Sequence, residues 1–263
     1  MENAKPEKTN PTARIPILIT SSITPHDTAV KLADPEQRLF HAIESISQWI
    51  RVAPASRFVL CDGSSFDFRP IVRELFPTTE IESLFFDNDP VKISAYGRGY
   101  GEGEIVKFAL KHSAHLREAE IFAKCSSKLW VENYAACLKE WRDNCLFSGV
   151  FKNVFSIRKL IEMVQVDTRF YIVNSDFYLK NFIDVHQHIG KAPGFGLEDS
   201  FFQKLQAIHQ YNYLFSVQPV IRGVGGGTGK YYKDSWLRVA KEHLKLKIIK
   251  KTRIFRHLFN PRV

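Results

Sequence analysis

The sequence reads GRGYGEGEIVKFALK at residues 97–111 and AEIFAKCSSK at residues 119–128. Glycine at every other position of residues 97–103 predicts a loop that lets a ligand approach the backbone closely. The apolar residues that follow predict a helix, and Ala119–Ala123 predicts a short buried strand. That strand ends on two lysines, Lys124 and Lys128. The stretch therefore predicts a loop, a helix and a strand in succession, with positive charge where the strand ends.

Strands and helices also alternate before this stretch. The apolar runs Ile15–Ile19, Phe58–Cys61 and Ile81–Phe86 predict buried strands. Between the first two, apolar residues recur at helical spacing after Pro35. The alternation predicts an α/β fold with a mostly parallel central sheet flanked by helices. We expect one domain over residues 15–235, a flexible tail over residues 1–14, and a basic amphipathic segment over residues 236–263.

Polar side chains follow three of the predicted strands. Thr20 and Ser21 follow the first, Asp62 follows the second, and Lys124 follows the strand at residues 119–123. The carboxyl ends of parallel strands face one ligand crevice, so we expect these groups to converge. Lysines there can neutralise a diphosphate leaving group. The alternative is that Lys124 and Lys128 are ordinary solvated lysines.

Two acidic motifs are candidates for chemistry. Glu198-Asp199 begins a predicted helix, where a carboxylate can be a simple capping group or a general base that deprotonates an acceptor hydroxyl. Asp87-Asn88-Asp89 has the D-x-D form of a metal site but comes one element too early, before the glycine-rich stretch. We interpret it as a surface turn before Pro90, with a metal site at Asp87 and Asp89 as the alternative.

A second glycine cluster reads GVGGGTGK at residues 223–230. A phosphate-binding P-loop would need glycine at position 224 and serine or threonine at position 231, which are Val224 and Tyr231. The cluster is therefore either a loop over the ligand or a plain linker. The four cysteines and nine histidines show no spacing typical of a zinc site.

The net charge of +9 lies entirely at the C-terminal end. From Lys230 onwards there are eleven lysines and arginines and two acids, whereas the charges of the preceding residues cancel. Basic and apolar residues together are typical of a helix on anionic lipid, although the segment could instead pack on its own domain or bind nucleic acid. A balanced domain argues against a nucleic-acid-binding core.

The sequence shows no apolar signal region and no run of eighteen apolar residues. Its cysteines do not have the spacing of a disulfide framework. We therefore expect a reduced cytoplasmic protein that is peripheral on the inner face of the cell membrane, with no nucleic-acid partner.

The order of these segments over residues 15–235 resembles bacterial GT-A glycosyltransferases that build lipopolysaccharide, O-antigen or capsule chains. Residues 122–128 are similar to a Phe-x-Lys-x-x-Gly-Arg stretch of members that lack the D-x-D motif, with Ser127 in place of the glycine and Lys128 in place of the arginine. Lysine keeps the charge but loses the two-pronged hydrogen bonding of a guanidinium. The resemblance implies a nucleotide-sugar site formed by Thr20, Ser21, Asp62, Arg98, Lys124 and Lys128.

The pair Glu198-Asp199 resembles the Glu-Asp pair of inverting family members. By that resemblance Asp199 is the catalytic base and Glu198 its neighbour, while Arg169 and Tyr231 lie near the donor sugar or the acceptor. The implied activity moves a sugar from a nucleotide-diphosphate donor to a hydroxyl of a lipid-linked or polysaccharide acceptor. No cofactor is required, and Mg²⁺ or Mn²⁺ would be compatible. The alternatives are a metal-dependent sugar nucleotidyltransferase and a non-catalytic binding protein that acts through its basic tail.

Overall fold

A computed structural model describes residues 15–190, 194–232 and 236–259. The predicted flexible tail at residues 1–14 and the last residues of the basic segment, 260–263, lie outside the described part of the chain.

A six-stranded sheet forms the centre of the domain, in the order β3-β2-β1-β4-β7-β6. Strands β1 to β4 are parallel, β7 is antiparallel to β4, and β6 is antiparallel to β7. The bounds of its strands are β1 Ile17–Ser21, β2 Phe58–Asp62, β3 Ile81–Phe85, β4 Ile121–Ser126, β6 Cys145–Lys152 and β7 Glu162–Asn174. Every residue of β1 and β2 is buried, as expected for parallel strands covered on both faces. The predicted α/β fold class is confirmed.

A second, three-stranded antiparallel sheet has the order β5-β8-β9. Its strands are β5 Leu129–Val131, β8 Ile221–Val224 and β9 Tyr231–Tyr232. Strand β5 follows β4 after a two-residue turn at Ser127 and Lys128, so the turn joins the two sheets.

Helices cover both faces of the large sheet. They are α1 Pro35–Val52, α2 Arg69–Leu75, α3 Pro90–Tyr96, α4 Arg98–His112, α5 Ala114–Arg117, α6 Tyr134–Leu138, α7 Ser175–Asn181, α8 Leu197–Ala207 and α9 Trp236–Lys251. Alternate residues of β1 point to opposite faces. Leu18 packs with α4 and α8, whereas Ile17 and Ile19 pack with α1 and α2.

The sequence predicted a loop for the glycine-rich stretch at residues 97–103. In the structure this stretch is instead the start of helix α4. Gly97 precedes the helix with a positive φ of 81°, a conformation that favours glycine. The other glycines let the helix pack closely: a Cβ at Gly103 would lie 2.3 Å from the Cβ of His186, and one at Gly101 would lie 2.8 Å from Ile93. The absent side chains make room for neighbouring elements.

The basic C-terminal segment forms helix α9 and a short 3-10 helix at Arg256–Leu258. Ile249 is buried in the domain core, and Leu246 and Ile248 pack against it. Part of the apolar face predicted for membrane binding is therefore used to pack the helix on its own domain. None of the helices in the described residues is long and apolar enough to span a bilayer.

Replacing Gly103 with alanine tests whether close packing explains the glycines. Helix propensity alone would favour alanine by about 1 kcal/mol. We expect the overpacking against His186 to prevail and the free energy of unfolding in urea to fall by about 1–3 kcal/mol. The exposed Lys111→Ala change on the same helix should have little effect. A neutral or stabilising Gly103→Ala change would contradict close packing.

Candidate functional site

A cavity of about 310 Å³ opens at the carboxyl ends of β1 and β4. Its walls come from the end of β1, the β4–β5 turn, the first turns of α1, α4 and α8, and the turn between β8 and β9. The cavity therefore lies where the sequence placed the ligand crevice, at the carboxyl edge of the parallel strands.

The central cation of this cavity is Lys128. Its side chain is buried, and its ammonium donates a hydrogen bond of 2.7 Å to the hydroxyl of Ser127. No carboxylate of the described residues lies within ion-pair distance of it, and Asp62 and Glu102 act on it only through space. Burial, with a contribution from Arg38, lowers its pKa to about 7. A buried ammonium without a counter-ion is costly, so this position favours an anionic ligand.

A second buried cation, Arg38, faces the same cavity. Its Nε donates to the carbonyl of Ser22 and its NH1 to the carbonyl of Leu32, each at 2.7 Å. These bonds fix the loop between β1 and α1. Burial lowers the pKa of Arg38 to about 10. The sequence analysis missed this residue, although Arg38, Ala42, Ser45 and Trp49 share the buried face of α1 and an arginine on such a face is a signal.

The second glycine cluster forms the turn between β8 and β9 and covers the cations. A Cβ at Gly226 would lie 3.4 Å from NH1 of Arg38 and 3.6 Å from Nζ of Lys128. A Cβ at Gly227 would lie 2.8 Å from NH1 of Arg98. Glycine thus lets the backbone reach three cationic groups. This arrangement supports the interpretation of the cluster as a loop over the ligand, and it brings Arg98 to the site as the resemblance implied.

The end of β1 contributes polar groups, as predicted. Thr20 and Ser21 both line the cavity, and the buried hydroxyl of Ser21 has no hydrogen-bond partner among the described residues. Asn88 lines the cavity beside them and donates to the carbonyl of Gly101 at 3.2 Å. A buried hydroxyl without a partner is rare and marks a place for a ligand group.

Asp62 is placed differently from the prediction. Its carboxylate accepts hydrogen bonds from the backbone N–H groups of Ile23, Ser64 and Phe66 and from the Ser64 hydroxyl, at 2.6–3.2 Å. It is fully buried and is not part of the cavity wall. Its observed role is to hold the loops that follow β1 and β2.

Lys124 is also placed differently. It lies within β4, two residues before the end of that strand at Ser126 instead of just after it, and its buried ammonium pairs with Glu102. It also donates to the hydroxyl of Ser126 at 3.1 Å and to the carbonyl of Thr168 at 2.9 Å. Its charge is thus compensated inside the protein. The resemblance made Lys124 the firmer diphosphate ligand, whereas in the structure Lys128, and not Lys124, lines the cavity.

The two acids of α8 have opposite environments. Glu198 lines the cavity, where its Oε1 accepts a 3.2 Å hydrogen bond from the hydroxyl of Thr168. Burial raises its pKa, and the nearby Glu102 adds to the rise. Asp199, the predicted base, instead accepts a 2.8 Å hydrogen bond from the N–H of Gly196 and is not part of the cavity wall. The capping role belongs to Asp199, and Glu198 is the acid that faces the ligand space.

Of the two residues predicted near the donor sugar or the acceptor, Arg169 lines the cavity and Tyr231 does not. Arg169 lines the cavity, forms a two-pronged ion pair with Asp167, and lies 4.9 Å from the ring centre of Tyr232. Tyr231 is exposed and does not line the cavity, whereas Tyr232 does. In a two-residue strand, adjacent side chains point to opposite faces, so the aromatic group of the site is Tyr232.

The alternative metal site does not have the ligands it would need. Asp87 contacts His26 at 3.1 Å, and Asp89 caps helix α3 by accepting hydrogen bonds from the N–H groups of Val91 and Lys92. Neither lines the cavity. Within residues 15–190, 194–232 and 236–259, no three histidine, cysteine or carboxylate side chains are grouped to hold a metal ion.

No protein-family model matches the sequence, and no curated protein matches it. Among solved structures, the chain is similar to a Desulfovibrio desulfuricans G20 protein described as a nucleotide-diphospho-sugar transferase. The TM-score is 0.47 at 10% identity over 76% of this chain and 78% of that one. The mannosyltransferase Ktr4p of S. cerevisiae gives 0.46 at 10% identity over 78% and 69%.

The 4-diphosphocytidyl-2C-methyl-D-erythritol synthase of Anaerococcus prevotii gives a TM-score of 0.43 at 7% identity over 89% of this chain and 99% of that one. Similarities this low do not establish a shared activity, so the function rests on the residues of the site.

The two lysines of the β4–β5 region should respond oppositely to replacement by methionine. Lys124→Met leaves Glu102 unpaired, and we expect the free energy of unfolding to fall by about 2–3 kcal/mol. This loss is smaller than that for a fully buried ion pair, because Glu102 is partly exposed. Lys128→Met removes an uncompensated charge, and we expect the free energy of unfolding to rise by about 1–3 kcal/mol below pH 7.

The effect of Lys128→Met on stability should depend on pH. The pKa of Lys128 is about 7 in the folded protein, whereas the ordinary pKa of a lysine is 10.5. Between these values the unfolded chain binds more protons, so wild-type stability rises with pH. The gain from Lys128→Met should therefore shrink as the pH approaches 10. Urea denaturation at pH 6.5 and 9.5 measures both effects. Destabilisation by Lys128→Met at pH 6.5 would contradict an uncompensated charge.

Proposed function

We propose that the protein is a glycosyltransferase that binds a nucleotide-diphosphate sugar in this cavity. The observation that carries the proposal is the buried Lys128 ammonium, which has no carboxylate partner among the described residues and lies beside Arg38 under a glycine turn. A diphosphate supplies the missing negative charge, and closely approaching glycines are typical of phosphate sites. The partnerless hydroxyl of Ser21 and the side chain of Asn88 then face the nucleoside.

The same cations stabilise the leaving group. As the bond between the anomeric carbon and the β-phosphate oxygen breaks, negative charge grows on the diphosphate. Lys128, Arg38 and Arg98 supply fixed positive charge there. These three cations can therefore take the place of a metal ion at the leaving group. A divalent cation would meet lysine and serine at the β4–β5 turn, which are poor ligands for it.

Glu198 is the candidate general base. In an inverting transfer the acceptor hydroxyl attacks the anomeric carbon, the bond to the diphosphate breaks, and the hydroxyl proton passes to the base. Glu198 faces the cavity, and the hydrogen bond from Thr168 orients it. Lys124 binds the carbonyl of the same Thr168, which makes Lys124 a positioning residue.

The acceptor and the location are also proposals. We infer a lipid-linked glycan or polysaccharide acceptor and a role in bacterial surface polysaccharide synthesis. The support is the resemblance of residues 122–128 to transferases of that group and the excess positive charge from Lys230 onwards. Both are consistent with an enzyme that is peripheral on the inner face of the cell membrane.

A thermal-shift screen against UDP-, GDP-, dTDP- and CMP-sugars tests donor binding, with Mn²⁺ and with EDTA. A donor at one hundred times its Kd stabilises the fold by about 2.7 kcal/mol. We expect one diphosphate donor to stabilise the protein equally in EDTA, and CMP-sugars, which carry a single phosphate, to act weakly. Lys128→Met should abolish the shift, whereas the exposed Lys111→Met should keep it.

Stabilisation that requires Mn²⁺ would contradict the lysine-based site and favour a metal-dependent nucleotidyltransferase. A shift that survives Lys128→Met would show that the diphosphate lies elsewhere. If no nucleotide stabilises the protein, the proposed function is wrong and a binding role of the basic tail takes its place.

Replacing each acid of α8 with its amide distinguishes the base from the cap. Glu198→Gln should lower kcat by about 10²–10⁴-fold while donor binding is kept, because only proton removal is lost. Asp199→Asn should leave kcat within a few-fold and act mainly on stability. In the wild type, kcat should fall as the pH drops through the raised pKa of Glu198. The reverse ranking of the two variants would restore Asp199 as the base.

A further inference from the structure

An exposed apolar loop joins β6 and β7, at the edge of the sheet away from β3. Phe155, Ile157 and Leu160 in this loop have exposed fractions of 50%, 102% and 85%. We call these three side chains the apolar tip. Single exposed apolar residues are ordinary on a protein surface, but three of them within six residues of one loop form a patch.

The backbone of the loop is ordered, so the apolar tip is held outward. The side chain of Asn153 donates to the carbonyl of Leu160 at 3.2 Å. The hydroxyl of Ser156 accepts from the N–H groups of Arg158 and Lys159 at 3.2 and 3.0 Å. The local hydrogen bonds thus close a compact turn with its apolar side chains on the outside, a form typical of a functional surface loop.

The charge around the tip is mostly positive. Residues 152–162 contain three basic residues, Lys152, Arg158 and Lys159, and one acid, Glu162, which lies opposite Lys152 in the hairpin. The basic helix α9 packs beside the loop: the ammonium of Lys241 lies 5.7 Å from the ring centre of Phe155. A second ring contact, between Phe151 and Phe255 at 5.2 Å, joins the hairpin to the end of the C-terminal segment. The loop and the basic helix therefore form one surface.

We propose that this surface docks on an anionic lipid bilayer, with the apolar tip inserted among the headgroups and acyl chains and the basic residues against lipid phosphates. Apolar side chains flanked by lysine and arginine are the chemistry that recognises such an interface. A second copy of the chain does not fit, because two strongly basic surfaces would repel each other. The inference is independent of the donor site and differs from the sequence prediction, which assigned membrane contact to the tail alone.

Vesicle co-sedimentation tests the proposal. The full chain is mixed with phosphatidylcholine vesicles and with vesicles that also contain phosphatidylglycerol. We expect binding to the anionic vesicles that is weakened at least about tenfold by Ile157→Asp, since a carboxylate neither inserts nor tolerates anionic phosphates. The matched control is Val91→Asp, the same kind of change at an exposed apolar residue of α3, a helix that packs against α4. It should bind as the wild type does.

Two further measurements make the result decisive. Replacing Arg158 and Lys159 with glutamine should reduce the preference for phosphatidylglycerol over phosphatidylcholine. The thermal shift with a nucleotide sugar should be unchanged in Ile157→Asp, which shows an intact fold and separates this proposal from the donor site. Full vesicle binding by Ile157→Asp would assign lipid contact to α9 alone. Binding to neither vesicle by the wild type would also overturn the proposal and leave a protein partner for the tip.

Discussion

The uncompensated charge of Lys128 is the constraint on which the rest of the site depends. A buried ammonium costs folding free energy unless an anion meets it, and a carboxylate in contact would remove the cost together with the binding site. The residues around it follow this requirement. Arg38 adds charge instead of neutralising it, Ser127 supplies a neutral hydrogen-bond partner, and the glycine turn at residues 225–228 leaves room above it.

The backbone at Lys128 is part of the same arrangement. Its φ of 69° lies in the left-handed region, which non-glycine residues rarely adopt. That conformation closes the two-residue turn between β4 and β5 and places the lysine at the junction of the two sheets. Strand β5 pairs with β8, and β8 leads into the glycine turn, so one turn positions both the cation and its cover.

Burial shifts the pKa values of the two central titrating groups in opposite directions, each toward favouring the neutral form. The pKa of Lys128 is lowered to about 7 and the pKa of Glu198 is raised, because a low-dielectric site penalises either charge. A bound diphosphate would stabilise the charged form of Lys128 and so offset the cost of burying it. A base with a raised pKa takes a proton more effectively near neutral pH. Lys124, which pairs with Glu102, donates to the carbonyl of Thr168, and the hydroxyl of Thr168 donates to Glu198.

The sequence predicted the parts of the molecule that local patterns determine. The apolar runs at residues 58–61 and 81–86 became β2 and β3, and the helical spacing after Pro35 became α1. Strand β3 is only partly buried, although its sequence predicted a buried strand. The glycine-rich stretch misled because glycine serves close helix packing as readily as it serves a loop, and only the partner, His186, decides between the two.

The roles of adjacent residues could not be predicted for a related reason. Lys124 and Lys128, and Glu198 and Asp199, differ in which neighbour each side chain meets, and those neighbours are distant in sequence. Glu102 forms an ion pair with Lys124, and the N–H of Gly196 donates a hydrogen bond to Asp199. The sequence predicted both members of each pair for the site, and only Lys128 and Glu198 line the cavity in the structure. Thr20, Ser21 and Arg98 line it as well.

The most direct measurement of the central claim is proton uptake on donor binding. Isothermal titration at pH 8 in EDTA, in two buffers of different ionisation enthalpy, reports it, and a nucleotide sugar has no phosphate group of its own that titrates there. If the diphosphate binds the Lys128 ammonium, the wild type should take up close to one proton per donor, because its lysine is mostly neutral before binding. Binding without proton uptake, or binding that requires a metal ion, would contradict the account.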